Sequence, residues 1–212
     1  MSVVYFIFQQ TMLFTIPLMI VALGGMFSER SGVVNIALEG IMTMGAFTGI
    51  LFLNMTGGKM GGQFQLALAI LISTATGAAF AFFHAYASIN MKANQTISGT
   101  ALNMFAPAFA IFVARVIQGV QQIQFNNTFR IESVPVLGKI PFLGPLLFQN
   151  TYITTYLGIL ILIASTLVLY RTRFGLRLRS CGENPQAADS VGIDVYRMRY
   201  TGVLLSGALG GL

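Results

Sequence analysis

Asn35 and Glu39 stand four positions apart inside a run that is otherwise apolar from Val33 to about Leu53. On a helix that spacing puts both side chains on one face. A carboxylate within a membrane-spanning segment is costly, so Glu39 is expected to face protein or a water-filled path rather than hydrocarbon. Two uses fit the pair: they line a route for a polar solute, or Glu39 pairs with a buried donor such as Arg30 and braces helices. Gln9, Gln10, Ser98 and Asn103 lie in other apolar runs and add donors and acceptors. Hydrogen bonds between helices explain them equally well.

Enzymatic chemistry finds no comparable set. His84 has no Ser or Cys at motif spacing, so it reads as a packed or interfacial histidine rather than a base. Cys181 is the single cysteine, which excludes an intrachain disulfide and leaves no metal cluster with His84. No Gly-rich stretch ends in the Gly-Lys-Ser/Thr that cradles nucleotide phosphates, so ATP hydrolysis is not expected on this chain.

The elements that must position these residues follow from composition. Hydrophobic residues make up 55% of the chain and charged residues 8%, with a mean hydropathy of +0.76. Soluble domains carry about 25% charged residues, and several runs here reach the roughly 20 apolar residues that cross a bilayer as a helix. An all-α membrane protein, a polytopic bundle of transmembrane helices in a single domain over 1–212, is therefore expected. The net charge of +6 comes largely from six arginines between Arg171 and Arg199 that flank an apolar run. That clustering fits a cytoplasmic membrane edge better than a nucleic-acid face.

Spans are expected at about 4–26, 33–53, 66–87, 97–116, 152–170 and from 200 onward. Pro17 predicts a kink in the first, and Ser28 to Gly32 a polar link after it. Thr56 to Gly62 reads as a glycine-rich turn. Gly45 with Gly49, and Gly77 with Ala81 and Ala85, form small-residue stripes that let helices approach closely. The stretch 118–150, with Pro135, Pro141 and Pro145, reads as an extracytoplasmic loop with an amphipathic piece near Ile140 to Leu147. Arginines after Tyr170 place 171–199 in the cytoplasm, and counting back puts the N-terminus outside. A half-membrane break within Phe27 to Gly40 reverses that parity. The absence of a cationic leader predicts that the first span is retained, and the apolar run at Leu212 predicts further spans beyond it.

Within the cytoplasmic stretch, Asn184 is a good N-cap, Pro185 suits the first helical position and Gly192 suits the stop. Gln186 to Val191 then form about two turns, and Asp194 caps the next helix. A short surface helix of this kind serves either as a plain connector or as a seat for a partner protein.

Two motifs, SERSGVVNIALEG from Ser28 and GENPQAADSVGI from Gly182, together with NQTISGTALNMFAP and IPFLGPLLFQN, carry a family resemblance that runs end to end. The chain resembles the permease subunits of bacterial nucleoside and simple-sugar ABC importers, kin to ribose and branched-chain amino acid permeases. The resemblance implies a multi-pass protein of the bacterial cell membrane that binds no cofactor itself, with ATP used by separate cytoplasmic ATPase subunits. It implies a second permease subunit, identical or different, and an extracytoplasmic substrate-binding lipoprotein. It also implies that Glu183, Asn184, Pro185, Gln186, Ala187, Ala188, Asp189, Ser190, Val191 and Gly192 form the coupling helix. Asn35, Glu39, Asn103, Gln9 and Gln10 are the expected solute-path residues. The alternatives are an ion-coupled secondary transporter, for which an intramembrane glutamate is also suited, a branched-chain amino acid ABC permease, and a membrane scaffold.

Overall fold

The computed structural model describes residues 2–57, 62–119, 121–123, 129–133 and 149–212. Within them the chain is an all-α membrane protein with one small β-hairpin. Helix α1 is Ser2–Arg30, α2 Leu38–Thr56 and α3 Gly62–Ala85, which runs on into a π-helical turn at Tyr86–Asn90. Then come α4, Gln95–Gln118, strands β1, Ile131–Ser133, and β2, Gln149–Thr151, and helices α5, Ile153–Arg171, α6, Arg173–Glu183, α7, Pro185–Ser190, and α8, Val195–Gly211. The strands pair antiparallel, Ile131 opposite Thr151 and Ser133 opposite Gln149. Among the described residues five helices are long and apolar enough to cross a membrane: α1, α2, α3 with its π-turn, α4 and α5.

Two boundaries differ from the sequence expectation. The polar link expected at Ser28 is helical as far as Arg30, because nothing there breaks a helix until Gly32, whose φ of 87° favours glycine. The second span, expected from Val33, becomes helical only at Leu38. Residues 31–37 run as a non-helical break whose backbone is held by side chains of neighbouring helices. The glycine-rich turn lies mostly outside the described residues, as do Lys59 and the proline-rich piece 140–147. Of the expected loop 118–150, the described residues contain the hairpin and a few flanking positions.

Helix ends sort into two groups. Asn90 accepts a hydrogen bond from the Tyr200 hydroxyl, Val34 meets Gln95, and the backbones of Arg30 and Gly182 touch. Arg30, Lys92, Arg171, Arg173, Arg177, Arg179, Arg197 and Arg199 therefore share one end, called here the basic end, out of twelve basic residues in the sequence. At the other end Gln118 bonds Asn54 at 2.6 Å, and Leu53, Ala69 and Phe129 cluster.

Helix α8 is the centre of the packing, against α3, α1 and α2. Small residues make the close approach possible. A Cβ at Gly77 would collide with Gly207 O and would lie 2.7 Å from Gly211 Cα, while one at Gly45 would strike the Gly211 carbonyl. Without a hydrophobic drive between helices in lipid, such backbone-to-backbone packing supplies the attraction. Val33, Ala37, Ile41, Ala81, Ala85 and Val203 form the buried cluster that ties the break to α3 and α8.

Candidate functional site

Buried backbone groups that leave helical bonding must find other partners, and the break finds them in side chains. Ser28 Oγ donates to Val33 O at 2.6 Å. Gln95 Oε1 accepts from Val34 N at 2.9 Å, and His84 Nε2 lies 3.0 Å from Val34 O. The other ring nitrogen of His84 is 3.1 Å from Ser98 Oγ, so both nitrogens of this fully buried ring are engaged. Asn103 holds both sides of the gap: its Nδ2 donates to Ile36 O at 2.8 Å and its Oδ1 accepts from Gly40 N at 2.7 Å. Gly40 N is one of the donors that a helix start leaves free. Asn103 thus caps α2 from a neighbouring helix, and the approach is so close that a Cβ on Gly40 would stand 2.7 Å from Leu102 O.

Asn35 lies in the break rather than on a helix, which corrects the expected shared face with Glu39. Its buried amide donates to Ser206 Oγ at 2.9 Å and accepts from Ala37 N at 3.2 Å. Glu39 sits in the first turn of α2 and is exposed. Among the described residues its carboxylate has no ion-pair partner, Arg30 included. An acidic group suits the positive end of a helix dipole. On the same face, three and seven residues on, Met42 and Ala46 line a cavity of about 290 Å³. Its other walls are Ile16 and Pro17 of α1, Thr155 of α5 and Gly210 of α8.

The structure therefore brings Asn35, Asn103 and Glu39 to one place. Gln9 and Gln10, half-buried on α1, are not there. At 1.5 Å per residue they lie roughly 30 Å along that helix from Arg30. Sequence reasoning did not single out Gln95, Ser28 and Ser206 as clamps. Their signal is polarity within or beside apolar runs, but which of these residues meet the non-helical stretch 31–37 is set by tertiary packing.

The second candidate region is the α6–α7–α8 elbow at the basic end. Thr172 caps α6 through Gly175 N at 3.2 Å, Asn184 caps α7 through Ala187 N at 3.0 Å, and Asp194 caps α8 through Arg197 N at 3.0 Å. Helix α7 closes with Ile193 N on Ala188 O at 3.1 Å and Gly192 N on Asp189 O at 2.9 Å, Gly192 having φ of 82°. This paired ending satisfies the last carbonyls of the helix. Ala188 is buried, whereas Gln186, Ala187 and Asp189 are exposed. Helix α6 anchors the elbow through Leu178, packed with Phe27 and Leu169.

No group of His, Cys, Asp and Glu that would suit a metal ion occurs among the described residues. The family model described as "Branched-chain amino acid transport system / permease component" matches residues 7–212. The nucleoside ABC transporter permease protein NupC of Lactococcus lactis is 46% identical over 95% of this chain and 63% of its own length. The guanosine ABC transporter permease protein NupQ of Bacillus subtilis is 47% identical, with the same shares covered. A second Bacillus subtilis guanosine permease, NupP, is 24% identical over 92% of this chain and 55% of its own. The chain thus spans less than two thirds of the length of these relatives. No solved structure matches it. Five helices among the described residues that are long and apolar enough to cross a membrane, and a family match over residues 7–212, make this chain a multi-pass membrane protein of the ABC transporter permease family described for branched-chain amino acid transport systems.

Proposed function

We propose that the chain forms part of the translocation path of an ABC importer for a nucleoside. The observation that carries this is its 46% and 47% identity to permeases described for nucleoside and guanosine transport. Two guanosine permeases of one organism match at 47% and 24%, which favours placing this chain in the NupQ-like half of a permease pair. ATP is bound and split by cytoplasmic ATPase subunits, solute is delivered by an extracytoplasmic binding lipoprotein, and the basic end faces the cytoplasm. Glu183 to Gly192 then act as the coupling helix, a role that the three capped helix starts support because a rigid element transmits motion.

Glu39 and the cavity beside it belong to the solute path in this reading, with Gln9 and Gln10 further along α1. Their amides and carboxylate match ribose hydroxyls, which both donate and accept. Asn35 and Asn103 keep the break in shape. Uptake of labelled guanosine, ribose and leucine by the full-length complex in proteoliposomes tests the proposal. Guanosine uptake that requires ATP is expected. Uptake driven by an ion gradient without ATP overturns the importer reading, and ATP-driven uptake of leucine or ribose alone reassigns the solute.

A further inference from the structure

Two buried side-chain polar atoms lack a hydrogen-bond partner among the described residues: Ser88 Oγ in the π-turn and Arg199 Nε on α8. Both residues line one cleft at the basic end, a cavity of about 370 Å³. Lys92 lines it as well, and Pro185, Gln186 and Asp189 of α7 form one wall. The two orphans ask for the same thing. A guanidinium N–H can only donate, and a hydroxyl donates readily, while a buried donor left unmade is costly. Neither Lys92 nor Arg199 has an ion-pair partner among the described residues, where the recorded pair is Arg197 with Asp194. Against these two cations the cleft sets one carboxylate, Asp189. Two free donors and a surplus positive charge together fit an anionic acceptor.

We propose that this cleft receives an acidic side chain, aspartate or glutamate, of the cytoplasmic ATPase subunit. The proposal rests on the docking role given above to α7, which supplies the wall. Charge complementarity selects the carboxylate. A protein source is favoured over a lipid headgroup because α7, a capped helix of six residues, has no apolar face long enough to lie in lipid. The carboxylate bridges Arg199 and Ser88, and Lys92 closes over it from the link before α4. The Arg199 guanidinium lies beside the break, since a Cβ on Gly32 would come within 3.4 Å of its Nη2.

The test measures retention of the ATPase subunit by the full-length permease in detergent across a salt series, for wild type, Ser88→Ala, Arg199→Gln, Lys92→Asn and Ala187→Trp. Lys92→Asn guards against a folding defect in Arg199→Gln, because Lys92 has φ of 52° and asparagine tolerates that conformation. Well-inserted Lys92→Asn and Arg199→Gln proteins are expected to bind the ATPase about tenfold more weakly and with a flatter salt dependence. If both retain it as wild type does while Ala187→Trp releases it, docking at α7 stands and the cleft proposal falls. If none of the variants releases it, both fall. A parallel arm compares vesicles of phosphatidylglycerol and phosphatidylcholine. Loss of phosphatidylglycerol binding by Lys92→Asn, with ATPase retention intact, gives the cleft to lipid and overturns the proposal.

Discussion

Asn103 and Glu39 lie within one turn of each other's elements yet answer to different demands. The Asn103 amide satisfies a carbonyl and an N–H that have no helical partner, so Asn103→Leu leaves two orphans. At about 1–3 kcal/mol for each unsatisfied group, its melting temperature in detergent is expected to fall by several degrees. Among the described residues the Glu39 side chain makes no hydrogen bond or ion pair, and it is exposed, so Glu39→Gln is expected to leave melting unchanged while ATP-driven uptake drops. Unchanged uptake by a well-inserted Glu39→Gln protein removes it from the solute path. The residue types were legible in the sequence, but their division of labour was not. The four-residue spacing of Asn35 and Glu39 is a helical signal only if the helix covers both. It begins at Leu38 because Gln95, His84 and Asn103, more than forty residues away in sequence, hold the backbone before it.

Helix α7 was legible almost residue by residue, since its signals are local: an Asn cap, a Pro at the first position and a left-handed Gly after the last turn. What sequence alone did not reveal is which alanine faces outward. Ala188 is 3% exposed and Ala187 is open to solvent. Ala188→Trp is therefore expected to lower stability by 1–3 kcal/mol, about the cost of overpacking. Ala187→Trp is expected to leave melting intact and to weaken ATPase retention, read by co-purification. Gly192→Ala must force a Cβ into left-handed backbone, at about 1–2 kcal/mol, and so is expected to loosen α7 and raise amide exchange between Gln186 and Val191. Retention that survives Ala187→Trp places the docking surface elsewhere. The α3–α8 contact was half legible: the stripe Gly77, Ala81, Ala85 marks a close approach, but its partner, Gly207 and Gly211, is set by tertiary packing.

For the whole molecule the open variable is which side of the membrane the basic end faces. In the proposed importer the clustered arginines put it in the cytoplasm, and the proposed ATPase can reach α7 only there. Cys181 is a natural label close to α7, but the structure makes it a poor one. It is buried, and burial pushes its thiol above the ordinary range, an effect that nearby Arg199 and Ser180 only partly oppose. The thiolate is the reactive form. A raised value means that the thiol stays protonated as pH climbs through the range where an exposed cysteine already reacts. Wild-type protein is therefore expected to label slowly with maleimide from either side at pH 8. An exposed reporter, Gln186→Cys, is expected to react quickly with a membrane-impermeant maleimide in inverted vesicles and to stay unlabelled in intact cells. Labelling of Gln186→Cys in intact cells would put the basic end outside, beyond the reach of any cytoplasmic ATPase. The docking at α7 and the cleft beside it would then have no partner.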